Sequence, residues 1–263
     1  MSALVFRRAF AAPIRSPVSR VLVVLLLLAC WLSSLSLVIA ASDGPTSLRT
    51  SVGMAVTLFS VLFMALAFFL GGMLFPRDIY SGMTELLLML PVSRTAYYTA
   101  QVAGTLAFLL ACYCIAASGF CVLSTYFAQR TFSIGTEIFW PEVWSRLLFL
   151  PLRIICIVLS LSALSVVASS RYIHFGFWMA LQLAIVQADV PQTEHAPWRF
   201  VPLFLVHELL QPVLTGPRAT FIDEAALGSW YLWRAMLDGL LGAALGLAAG
   251  LFAFHCMEVS TRR

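Results

Sequence analysis

Val21-Leu-Val-Val-Leu-Leu-Leu-Leu-Ala-Cys30-Trp-Leu-Ser-Ser-Leu-Ser-Leu-Val-Ile-Ala40 carries no charged side chain from end to end. As a helix rising 1.5 Å per residue, about 20 such residues match the roughly 30 Å hydrocarbon core of a bilayer. Mostly apolar blocks of similar length recur at 52–74, 99–123, 147–168, 173–190 and 230–254. A chain of 263 residues that is 61% hydrophobic and 11% charged is outside the composition of soluble domains, which are near half apolar and a quarter charged. The predicted fold is therefore all-α, a single transmembrane domain over residues 1–263 with six membrane-spanning helices.

What precedes the first block differs in kind. Arg7, Arg8, Arg15 and Arg20 alternate with Phe6, Phe10, Ile14 and Val18, and Pro13 and Pro17 interrupt the run, which predicts an interfacial helix over 1–20 on the cytoplasmic leaflet. Val38-Ile39-Ala40-Ala41 has the look of a signal-peptide cleavage site. The apolar run before it exceeds the roughly 7–15 residues of a signal-peptide core, so the block reads as a span.

All 16 basic residues are arginine. With both termini cytoplasmic, nine arginines (7, 8, 15, 20, 77, 94, 171, 262 and 263) fall inside and five (49, 130, 146, 199 and 218) outside, a bias that favours this orientation. The absence of lysine rules out a Walker-A loop and any Schiff-base cofactor on this chain. The cysteines 30, 112, 114, 121, 156 and 256 sit in or beside apolar blocks without zinc-site spacing and read as small buried hydrophobes.

The outer connections are uneven. Asp43-Gly44-Pro45 is a short turn, whereas 128–145 carries Trp140, Pro141 and Trp144, suited to the membrane–water boundary. The long connection 191–229 holds an apolar run broken by Pro202, His207, Glu208 and Pro212, which predicts short helices dipping into the outer leaflet.

Between the second and third blocks, Pro76 leaves the membrane, Asp78 and Ser81 can cap a helix, and Met83, Leu86, Leu87 and Leu90 recur at helical spacing. Arg77, Asp78 and Glu85 supply a charged face before Pro91 stops the helix. A leucine ridge with a few charges suits docking into a groove, where apolar anchors give affinity and charges set register. The competing reading, a helix lying on lipid, fits poorly with acidic side chains against an anionic leaflet.

Asp78, Gly82, Glu85-Leu86-Leu87, Pro91-Val92-Ser93-Arg94 and Tyr97 or Tyr98 together resemble the corresponding segment of the ABC-2 type transporter permeases. The resemblance implies that 76–93 is a cytoplasmic coupling helix whose Arg77, Asp78, Gly82, Glu85, Leu86, Pro91 and Arg94 engage a separate ATPase subunit. It further implies a second permease copy or homologue, ATP and magnesium on the partner subunit with no cofactor on this chain, a bacterial cytoplasmic membrane, and export. It does not select among lipid, polysaccharide, drug, peptide, ion or haem as cargo. The short loop Ser169-Ser170-Arg171-Tyr172 is a weaker contact candidate for the same subunit.

Polar groups at membrane depth need partners or purposes. Arg234 and Asp238 lie four apart on one helix face and either pair with each other or line a cargo path. Arg153 either reaches outward to water or lies on that path, and Gln182 and Gln187 are interhelical hydrogen-bond partners or path residues. Gly242, Gly246 and Gly250 recur every four residues, the spacing for close helix packing against an unspecified neighbour.

Other function classes compete with transport. An intramembrane serine protease lacks a suitable flanking pattern at Ser118-Gly119 and a histidine in reach. A haem-binding redox subunit would use His174 and His255, and a non-transporting assembly subunit would use the same fold without cargo.

Overall fold

The computed structural model describes residues 2–41, 45–72, 74–75, 93–127, 140–167, 173, 176 and 229–256. Six helices account for nearly all of them: α1 (Ser2–Arg15), α2 (Pro17–Ala41), α3 (Pro45–Gly72), α4 (Arg94–Phe127), α5 (Trp140–Val167) and α6 (Ser229–Cys256). Among the described residues there is no strand. Three stretches, Arg94–Tyr126, Leu150–Val167 and Gly239–Cys256, are long and apolar enough to cross a membrane, and α1 with α2 adds a fourth if that bent pair is one broken span. The described part of the protein is therefore all-helical, with helices long and apolar enough to cross a membrane within α4, α5 and α6. The helices α2 and α3 occupy the places of the first two expected spans. The expected fifth span at 173–190 and the connection at 191–228 lie outside the described residues, apart from Ile173 and Gly176.

The boundary between α1 and α2 is written in three residues. Ser16 closes α1 by donating its N–H to the Ala12 carbonyl at 3.3 Å, and its Oγ accepts the Ser19 N–H at 3.5 Å as the cap of α2. Pro17 follows at the first helical position, where a missing N–H costs nothing. The chain turns by 73° there, so residues 17–20 begin α2 rather than ending the surface helix. The apolar face of α1 does not lie on lipid alone. Val5 and Ala9 are buried, and Phe10 meets Phe108 of α4 edge-on at 5.9 Å. The approach is close because position 104 is glycine: a Cβ there would sit 2.6 Å from the Phe6 carbonyl oxygen and 2.7 Å from Ala9 Cβ.

The core lies where α3, α4 and α5 meet. Phe59 and Phe63 of α3 pack edge-on against Tyr113 of α4 at 5.9 and 5.7 Å, and Leu147, Leu150, Ile154 and Ile157 of α5 are fully buried. Pro151, inside α5, has no N–H to return to the Leu147 carbonyl four residues earlier. Buried as Leu147 is, such an orphaned carbonyl has no water to turn to. The Tyr113 hydroxyl donates to it at 2.5 Å, so a proline defect in one helix is repaired by a tyrosine of another. Tyr113→Phe is expected to lower stability by about 1 kcal/mol, and by close to nothing in a Pro151→Leu background where the backbone bond returns. Denaturant unfolding of the four proteins of that cycle in detergent checks it.

Candidate functional site

Residues 76–92, including Arg77, Asp78, Gly82, Glu85, Leu86 and Pro91, lie outside the described residues, but both of their flanks are defined. On the α4 side, Ser93 is the cap: its Oγ accepts the Ala96 N–H at 3.2 Å and its carbonyl accepts the Tyr97 N–H at 3.0 Å. On the α3 side, the chain turns through Leu74, whose N–H reaches the Gly71 carbonyl at 3.4 Å. The Leu74 carbonyl in turn accepts from Gln101 Nε2 of α4 at 3.4 Å.

The two flanks converge on one aromatic cluster. Phe75 stacks parallel to Tyr98 with centroids 5.1 Å apart, and Phe254 of α6 lies 5.5 Å from Phe75, 5.8 Å from Tyr97 and 5.7 Å from Tyr98. All four rings are buried, Tyr98 completely. Its hydroxyl is 2.7 Å from Ser162 Oγ of α5. Because the Ser162 hydroxyl also donates to the Leu159 carbonyl at 2.7 Å, the Tyr98 hydroxyl is the donor of that pair. Gly250 of α6 admits this arrangement, since a Cβ there would overlap the Tyr98 hydroxyl and stand 2.6 Å from Cζ.

Arg94, the first residue of α4, extends the junction outward by donating from Nη1 to the His255 carbonyl at 3.2 Å. A guanidinium on a carbonyl of the last turn of α6 meets the negative end of that helix. The two flanks of 76–92 thus meet at one place, and that place is in contact with α3, α4, α5 and α6.

No family model matches the chain, and no curated protein matches its sequence.

The glycine series has definite neighbours. Gly246 faces Leu159 of α5, where a Cβ would come within 3.1 Å of Leu159 Cβ; Gly250 faces Tyr98, and Gly242 is buried. Arg234 and Asp238 stand on the first half of α6, their side chains outside what is described, and Gln182 and Gln187 lie outside the described residues. Arg153 stands on α5 with its Nε enclosed and without a hydrogen-bond partner among the described residues. The cysteines divide rather than all being buried: Cys112 and Cys156 are buried, whereas Cys114 and Cys256 are exposed on their helices. Cys156 points its thiol at the Gly239 carbonyl of α6, 3.2 Å away. His255 is exposed, His174 lies outside the described residues, and no group of three metal-ligating side chains occurs among the described residues.

Sequence reasoning placed Arg94 and the tyrosines in the motif but missed Phe75, Ser162 and Phe254. An aromatic residue and a serine inside apolar blocks carry no local signal of a shared site. The glycine spacing was the one available hint.

Proposed function

We propose that this chain is the transmembrane permease subunit of an ATP-driven ABC-2 type exporter. In this reading it has six spans, both termini face the cytoplasm of a bacterial inner membrane, and it pairs with a second copy or homologue. Two separate ATPase subunits beneath supply the hydrolysis of ATP with magnesium. The observation that supports it most is the convergence of both flanks of 76–92 on the Phe75–Tyr98–Phe254 cluster. A docking segment transmits force only if its ends are anchored, and here the anchors reach α5 through Ser162 and α6 through Gly250. Nucleotide-driven movement of the ATPase subunits would press on 76–92, and the cluster would carry the displacement to the membrane-crossing helices.

The test is co-purification of the tagged protein from its native membrane in mild detergent. An ATPase subunit is expected with the wild type and is lost with Glu85→Arg/Leu86→Glu at unchanged expression. Absence of any ATPase from the wild type under conditions that preserve complexes overturns the reading.

A further inference from the structure

Arg153 lies three residues inside the apolar stretch that begins at Leu150, about 4.5 Å along the helix axis. A cation inside an apolar stretch is costly unless an anion or a set of acceptors meets it. Two polar groups of the same helix are engaged elsewhere. The Leu147 carbonyl, which Pro151 leaves without its helical bond, is taken by Tyr113. Cys156, one turn further along α5 and in electrostatic contact with Arg153, is a thiol directed at the Gly239 carbonyl and carries no opposing charge. Arg153 Nε is enclosed with no hydrogen-bond partner among the described residues.

Nε and the adjacent Nη form the side-on edge of a guanidinium, which fits two oxygens of one phosphate or carboxylate. An arginine that merely escaped to water would carry this edge outward. We propose that Arg153 is a binding site for a two-oxygen anion, phosphate or carboxylate, presented at headgroup depth beside α5. The anion is the headgroup of an amphiphile or a free ion, and the site stands independently of any ATPase partner.

The experiment is thermal unfolding of the purified full chain in a neutral maltoside detergent. The probes are dodecyl phosphate, dodecanol and inorganic phosphate, applied to wild type, Arg153→Gln and Arg153→Lys. Dodecyl phosphate at about a hundred times its Kd is expected to raise the wild-type Tm by roughly 5 °C or more, and dodecanol to leave it unchanged. Arg153→Gln loses the shift, yet without ligand it melts no lower than wild type, because an uncompensated buried charge has been removed. Arg153→Lys keeps the charge without the two-donor edge and shows a reduced shift, which decides the matter if the glutamine variant is not recovered folded. Equal protection by inorganic phosphate identifies a free ion as the ligand, and protection by dodecyl phosphate alone identifies a headgroup. An equal shift in wild type and either variant overturns the proposal. So does a lower unliganded Tm in both Arg153→Gln and Asp238→Asn with no further loss in the double variant, which would make Asp238 the internal counter-ion.

Discussion

Gly250→Ala is expected to destabilise the protein by about 1–3 kcal/mol, a large effect for one added methyl group. The added Cβ overlaps the Tyr98 hydroxyl, and ordinarily a side-chain tip gives way cheaply. This one is confined. Phe75 covers one face of the ring at 5.1 Å, Phe254 lies 5.7 Å away, and Ser162 holds the hydroxyl at 2.7 Å. Tyr98 can yield only by giving up the hydrogen bond and the stack together, or by pushing α6 away from α4. Shortening the tyrosine removes the clash, so Gly250→Ala/Tyr98→Leu is expected to be more stable than Gly250→Ala/Tyr98 intact, despite the cavity it opens. Denaturant unfolding in detergent measures both. An unchanged midpoint for Gly250→Ala would mean that Tyr98 is not seated against α6.

Gly104→Val is the second large effect, and here no side-chain tip is available to move. A Cβ at 104 would sit 2.6 Å from the Phe6 carbonyl oxygen and 3.0 Å from the Phe10 backbone nitrogen. Both atoms belong to the backbone of α1, so the helix must lift as a body. The Phe10–Phe108 contact and the burial of Val5 and Ala9 are then lost. The loss reaches several kcal/mol if the freed apolar surface faces water, at about 25 cal/mol per Å2, and is smaller if α1 settles on lipid. Limited proteolysis after Arg7, Arg8 and Arg15 reads the outcome directly. Faster cleavage in the variant is expected, and an unchanged pattern would mean that α1 is not docked on α4.

Much of the architecture was legible from residue order because bilayer thickness and backbone hydrogen bonding are local constraints. A long, mostly apolar run must close its own N–H and C=O groups, so α2, α4, α5 and α6 are helices wherever their neighbours lie. The α1–α2 boundary was half legible. Pro17 announces a helix start, but the cap at Ser16 makes residues 17–20 part of α2, and an alternation of arginine and apolar residues cannot show that. The surface helix was read as lying on the membrane because amphipathic character reports only that one face is apolar. That Gly104 lets α4 take this face is a matter of two helices' surfaces fitting each other.

The candidate site divides along the same line. By itself the sequence determined that the chain is rich in helices long and apolar enough to cross a membrane, that it carries no lysine for a Walker-A loop, and that Pro91 separates the amphipathic segment from the next apolar block, which the structure begins at Arg94 rather than at Thr99. Each follows from composition, from an absent residue type or from chemistry within a few residues. Only the tertiary structure decided that Tyr98 meets Ser162 and Gly250, that Tyr113 completes the helix Pro151 breaks, and that the Nε of Arg153 is enclosed and unmatched. These pairs join residues tens of positions apart, and in apolar blocks of near-uniform composition any of several neighbours would satisfy the same local pattern. Packing geometry alone chooses among them.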